Sequence, residues 1–216
     1  MRLVTLPGVL RPPSDCRLLA RTMHERRLAA DARVLDVFTG TGALAIVAAL
    51  DGAREVSAVD ASRRAVLNAR INARLNSVEV RALWGDLFGP VFGERFDLIV
   101  ANPPYVPGEG APPTSGHARA WEGGADGRAL IDRLCSEAPE HLAAGGRLLL
   151  VHSSISGEQR TLERLAAAGL EAGVLARERG PLGPVVGGRA TLLERRGILK
   201  PGEREEEIVV VQGSAA

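Results

Sequence analysis

Apolar runs in the first half of the chain stop, one after another, at an acid or an amide, and that recurrence restricts the fold more than any other feature. Arg33-Val34-Leu35-Asp36-Val37 runs into Phe38-Thr39-Gly40-Thr41-Gly42 and then into a helical stretch, Ala43 to Leu50. Strand, glycine loop and helix in that order open a nucleotide-type α/β unit. Glu55 to Asp60 reads as a second strand, Val78 to Leu83 as a third that leads to Asp86, and Phe96 to Ala101 as a fourth that delivers Asn102. The unbroken Leu98-Ile99-Val100 suits a strand covered on both faces. In an open parallel sheet, ligands bind beyond the carboxyl ends of the strands, near the switch point. Asp36, Asp60, Asp86 and Asn102 are therefore expected along one edge of an α/β sheet.

The chemistry at that edge follows from residue types. Gly40 and Gly42 allow a sharp turn and a close ligand approach. The loop lacks the third glycine of the dinucleotide fingerprint, and Asp36 stands before it, which disfavours a pyrophosphate and favours a ligand carrying an ammonium group. Asp60 follows Gly40 by about 20 positions, where a carboxylate takes ribose hydroxyls; Ser62 is expected to cap the next helix in its place.

Asn102-Pro103-Pro104-Tyr105 ends the fourth strand abruptly, because neither proline can donate to a ladder. This leaves a stiff loop with an amide at its root, free carbonyls along it, and at its tip the ring of Tyr105, the only tyrosine. Such a loop suits a planar NH2 group, either a carboxamide or an adenine amine. The Asn102 side-chain oxygen and the Pro103 carbonyl can take its two N–H donors while the Tyr105 ring stacks on its face.

Elsewhere the sequence predicts an N-terminal helical segment within residues 1–30, capped by Ser14 with Leu18, Leu19, Thr22 and Met23 at helical spacing, and a helix after Asp60 on which Leu67, Ile71 and Leu75 recur. The proline- and glycine-rich Val106–Gly124 reads as a lid or substrate loop carrying His117 and Trp121. A helix with Leu130, Ile131, Leu134, Cys135 and Ala138 on one face follows, then the strand Arg147–Val151. Ser156-Gly157-Glu158-Gln159 reads as a capping box opening a helix that Gly169 closes. Glu207–Val211 is the last strand, with 181–205 as an insertion before it. A length of 216 residues fits one domain, 1–216. The net charge of +1 gives no broad basic field, so composition does not point to nucleic acid. Cys16 and Cys135 lack metal-ligand spacing, and the reading is of reduced, buried thiols and no metal site. No signal-peptide pattern and no membrane-length apolar run occur, which points to the cytoplasm and to no membrane partner.

Together, VLDVFTGTGALAIVAAL, the acids of AVDAS and WGDLF, and NPPY resemble class I S-adenosylmethionine-dependent methyltransferases. NPPY with AWEGGADGRALIDRL and LAAGGRLLLV is similar, more narrowly, to the HemK-type protein-glutamine methyltransferases, in particular the short branch that modifies the Gly-Gly-Gln tripeptide of release factors. The resemblance runs from about Pro12 to Gly169 and returns at the final strand. It implies a Rossmann-like fold with a seven-stranded, mostly parallel sheet flanked by helices. It also implies an S-adenosylmethionine site built from Asp36, Thr39, Gly40, Gly42, Asp60, Ala61, Asp86, Leu87 and Asn102. Asn102, Pro103 and Tyr105 take catalytic roles, and Asn102, Pro104 and Tyr105 bind the acceptor, to which the loop position of Trp121 adds a peptide contact. Cys16 departs from the pattern, since the family usually has threonine there. The implied partners are a release factor as protein substrate and a small zinc-containing activator subunit. An adenine-amine methyltransferase on DNA or RNA remains the alternative, followed by one acting on a small metabolite or peptide.

Overall fold

A computed structural model describes residues 1–114 and 116–215. Its centre is a seven-stranded sheet in the order β3-β2-β1-β4-β5-β7-β6. The strands are β1 (Arg33–Val37), β2 (Glu55–Asp60), β3 (Arg81–Trp84), β4 (Phe96–Ala101), β5 (Leu142–Ser153), β6 (Glu171–Pro181) and β7 (Glu205–Ser214). β1 to β5 are parallel, and β7 runs antiparallel between β5 and β6. The switch point lies between β1 and β4, where the chain order reverses. That places the loops after Val37 and Ala101 side by side, since Val37 is in register with Ala101.

The helices are α1 (Ser14–Glu25), α2 (Ala43–Leu50), α3 (Arg63–Leu75), α4 (Ala129–Glu137), α5 (Glu158–Ala167), α6 (Pro184–Gly188) and α7 (Ala190–Arg195). Apolar side chains on both sheet faces are fully buried, with Leu35 and Ile99 in one cluster and Val34 and Leu98 in the other. This double coverage is the reason these strands read as unbroken apolar runs. Among the described residues, no helix is long and apolar enough to cross a membrane.

Several expectations need correction. Ser14 is the first residue of α1 and Pro13 is its cap position. Proline at a helix start is preset for helical φ, so the chain turns in without a side-chain cap. The capping box at Ser156 does not form: Gly157, at φ +80°, occupies the cap position of α5, and the Ser156 hydroxyl donates to the Tyr105 carbonyl at 2.9 Å. The third strand begins only at Arg81.

The Leu67–Ile71–Leu75 stripe does not face the core, and Leu67 and Leu75 are exposed. The buried face of α3 carries Val66, Ala69 and Ala73 with Asn68 and Asn72. These amides have work there. The Oδ1 atoms of Asn68, Asn72 and Asn76 accept the backbone N–H groups of Leu6, Val4 and Arg2, so the N-terminal segment lies along α3 as if along a strand edge. Ser62 does cap α3, accepting from Ala65 N.

The segment expected to be an insertion is structured between the end of β6 at Pro181 and the start of β7 at Glu205: α6 and α7 bury Val186, Ala190, Leu193 and Leu199 against Val106, with Tyr105 and Trp121 packed at the margin.

Candidate active site

The glycine loop leaves β1 with Phe38 at φ +63°, Gly40 at φ +55° and Gly42 at φ +82°. At Gly42 a side chain is excluded twice, since a Cβ would also stand 2.9 Å from that of Ala69. Asp36, fully buried beneath the loop, accepts from the Thr39 hydroxyl at 2.6 Å and from Ala45 N at 3.1 Å, both through Oδ2. Its Oδ1 is buried with no partner. A buried polar atom without a partner among the described residues is costly, and it needs a donor to offset that cost. Burial raises the Asp36 pKa to about 7, against the pull of Thr39 and Ala45.

Asp60, at the end of β2, splits its carboxylate between Gly40 N at 2.9 Å and Ser62 N at 2.8 Å. This one acid therefore locks the glycine loop to the start of α3. Burial pushes its pKa up, while those two N–H groups and the nearby Arg119 guanidinium pull it down. Each oxygen keeps a second acceptor direction for a ligand hydroxyl. The Ala61 carbonyl takes the Trp84 indole N–H at 3.1 Å, Leu87 is buried at φ +44°, and Asp86 is exposed and paired with Arg133 at 2.9 Å.

Asn102 follows β4, and its Nδ2 donates to Cys16 Sγ at 3.2 Å. That bond fixes the amide plane. Among the described residues, neither Asn102 Oδ1 nor the Pro103 carbonyl accepts a hydrogen bond. Burial pushes the Cys16 thiol up to about 12, so the sulfur is a neutral thiol at working pH.

The rest of the loop differs from the sequence expectation. The Tyr105 ring is turned inward, not held at a free tip: its hydroxyl donates to Asp15 in the first turn of α1, and burial next to that carboxylate raises the phenol well above its usual pKa. Nor are all the carbonyls free. Tyr105 O is taken by Ser156, and Pro104 O is packed where a Cβ on Gly123 would come within 2.5 Å. Gly127, at φ +76°, likewise has no room for a Cβ, which would fall on the Tyr105 carbonyl. Trp121 is packed against the α6–α7 cluster with its indole nitrogen buried, not presented openly on the lid.

Sequence reasoning therefore missed Asp15, Gly123, Gly127 and Ser156, which touch the 102–105 loop, and Arg128, which anchors Ser156. Arg128 is 1% exposed and reaches the carbonyls of Ser156 and Gly157, fastening the Gly-rich segment to the start of α5. The usable signal was the Glu122–Arg128 run itself, whose glycines mark a close backbone approach.

The sequence and the fold match known proteins. The family model for the methyltransferase small domain covers residues 2–118, more than half the chain. A Methanocaldococcus jannaschii protein, provisionally named a protein N5-glutamine methyltransferase, is 35% identical over 81% of this chain and 87% of its own length. The release factor glutamine methyltransferase of Bordetella pertussis is 39% identical over 68% of this chain, which spans 57% of that protein. Among solved structures, the E. cuniculi Mtq2–Trm112 complex, described as methylating the eRF1 termination factor, superposes with a TM-score of 0.66 at 23% identity, covering 97% of this chain and 99% of that one. A strand-end site on a seven-stranded sheet, a family model across more than half the chain and a relative at 35% identity lead to one conclusion: the chain belongs to the methyltransferase small domain family.

Proposed function

We infer that the chain moves a methyl group from S-adenosylmethionine to the side-chain amide nitrogen of a glutamine in a protein, with a release factor as the acceptor. The observation that carries this reading is the pair of acceptors at the end of β4, Asn102 Oδ1 and the Pro103 carbonyl, that take no hydrogen bond among the described residues. The names of the relatives support the choice of acceptor.

The residues present fit the donor. Its ammonium group would satisfy the unpartnered Asp36 Oδ1, its ribose hydroxyls would meet Asp60, and its adenine amine would lie near Asp86 and Leu87. Thr39, Gly40, Gly42 and Ala61 shape the walls between these points. The bound donor supplies an electrophilic sulfonium methyl. An amide nitrogen is a poor nucleophile, so the protein contributes position and electrostatics. Asn102 and Pro103 would take the two amide N–H groups and aim the nitrogen at the donor; both oxygens would stabilise the positive charge that builds on nitrogen as the N–CH3 bond forms and the S–CH3 bond breaks to leave a thioether, with the surplus proton leaving along one of these hydrogen bonds to solvent. Tyr105 keeps this geometry rigid, because Asp15 takes its hydroxyl and Ser156 its carbonyl from two other elements, and Pro104 is packed against Gly123.

A small partner subunit also belongs in this proposal. β3 is an edge strand, and beside it Leu67, Leu75 and Trp84 are exposed. An apolar stripe next to an open edge suits an added chain.

The deciding experiment supplies labelled S-adenosylmethionine with a purified release factor and with adenine-containing oligonucleotides across a salt series. Label on a protein glutamine, falling only modestly with salt, is expected. Labelled adenine with a steep salt slope would sink the glutamine reading, because binding to nucleic acid releases counterions.

A further inference from the structure

The α6–α7 segment has no part in the donor site or the sheet, yet it is built onto the chain that follows the 102–105 loop. Arg189 donates to the Pro107 carbonyl at 2.8 Å and pairs with Glu122 at 2.7 Å. Arg196 donates to the carbonyls of Gly108 and Ala125, each at 2.6 Å. Gly108 has no room for a side chain, because a Cβ would run into the Glu122 carboxylate. These contacts make a fixed floor from a stretch that sequence alone reads as a loose loop. Above it lies a cleft of about 410 Å³, lined by Glu109, Glu122, Gly188, Arg189, Thr191, Leu192 and Arg195.

The charges of this cleft divide into two kinds. Glu122 and Arg189 neutralise each other within the floor. Glu109 on the loop wall and Arg195 on the α7 wall are exposed and have no hydrogen-bond or ion-pair partner among the described residues. Thr191 adds to the lining a hydroxyl with no hydrogen-bond partner among the described residues. A cleft with carboxylates equal in number to guanidiniums repels a phosphate backbone as much as it attracts one, so nucleic acid is a poor occupant. An extended polypeptide is a good one: it offers N–H groups or a basic side chain to Glu109, and carbonyls or an acidic side chain to Arg195 and Thr191.

The position agrees. Val106 pairs with Glu122, and Val106 stands only four positions after Asn102. At ~3.5 Å per extended residue, with about 5 Å between paired strands, the inner wall of the cleft lies within roughly 20 Å of the amide-gripping oxygens, a span of about six extended residues.

We propose that the cleft between α6–α7 and the 106–124 loop is the docking site for the acceptor protein's chain beside the methylated glutamine, with Glu109 and Arg195 setting which sequences dock. This rests on the glutamine-acceptor reading and adds to it the surface that selects the substrate.

The test is steady-state methyl transfer by the full chain to an intact release factor and to a short peptide trimmed to three residues either side of the glutamine. Wild type is compared with Glu109→Arg, Arg195→Glu and the double swap. Both positions are exposed and bond to nothing, so the variants should melt like wild type. On the intact protein, each single charge reversal is expected to raise KM about tenfold with kcat and donor affinity unchanged, the usual scale for a misplaced interface charge. On the trimmed peptide, which does not reach the cleft, variants and wild type should agree. Unchanged KM on the intact protein, or an equal loss on both acceptors, overturns the docking site and leaves the glutamine reading standing. A wild-type enzyme that labels no protein overturns both.

Discussion

The two halves of the site are held by opposite means. In the proposed donor half, the two buried acids are held locally: Asp36 bonds residues 3 and 9 positions away, and Asp60 bonds residues 2 and 20 positions away, while only the exposed Asp86 pairs far off, with Arg133. In the acceptor half, they are remote: Asn102 bonds Cys16 across 86 positions, Tyr105 bonds Asp15 across 90, and Ser156 reaches Tyr105 across 51. A binding site for a common small molecule can form within one or two βα units. The grip on an acceptor amide is fixed only once α1, the 123–128 segment and the start of α5 have all packed. The donor half should therefore fail through affinity and the acceptor half through turnover.

The sharpest test of that division is Asn102→Ala. Turnover should fall at least about 100-fold, the scale for removing a positioned polar group, while donor affinity stays within a few-fold. Rapid-quench turnover with calorimetry of donor binding reads both quantities, and a mutant with near-normal turnover would show that the Asn102 oxygen grips nothing.

Asp60→Ala is the mirror case. Loss of a charge-assisted contact should weaken donor binding by roughly 1–3 kcal/mol, or about 5- to 150-fold. The KM for the acceptor should stay put when the donor is saturating. A variant that binds the donor normally but raises the acceptor KM would reverse the assignment of the two halves.

The same division explains what was legible. β1, the glycine loop and α2 could be read because their geometry depends on neighbours in sequence, such as glycines at positive φ and a buried acid three residues from the threonine it binds. The strand-end placement of Asp36, Asp60 and Asn102 followed from the alternation of strand and helix, and the sheet has it so. Tyr105 was misplaced because its partner, Asp15, looks like an ordinary first-turn acid until α1 docks. The α3 stripe misled for a related reason. Leucines every four residues imitate a core face, yet the buried face is made by small residues and asparagines that serve an N-terminal segment more than 60 positions away. Val186 and Leu193 gave no periodic signal, since their helices have only five and six residues and their partner, Val106, lies far back in the chain.

The pH response separates the halves without a mutation at the acceptor. The native Asp36 pKa is raised from 3.8 to about 7, so the folded apo protein holds a proton that the unfolded chain releases. Its contribution to stability is complete below about pH 4 and is lost as pH rises toward 7. Donor binding has the opposite sign, since an ammonium ion pairs with the ionised acid. Affinity should climb by up to about tenfold per pH unit below 7 and level off above it. Calorimetry at three pH values between 5.5 and 7.5 measures the slope, and Asp36→Asn should abolish it. A wild-type affinity that is flat or falling over that range would take the ammonium away from Asp36.

The smallest effect tests the one residue that departs from the family pattern. Cys16 holds Asn102 through a neutral sulfur, a weak hydrogen-bond acceptor, at 3.2 Å. Threonine presents a stronger acceptor at nearly the same place, whereas valine keeps the volume and presents none. A single hydrogen bond contributes about 0.5–1.5 kcal/mol. Cys16→Val should therefore lower turnover by about 2- to 13-fold, while Cys16→Thr should match or slightly exceed wild type. Donor affinity should be unmoved by either change, because the bond orients the acceptor amide only. If Cys16→Val instead weakens donor binding and spares turnover, α1 belongs to the donor half, and the boundary between the two halves runs through Asn102 itself.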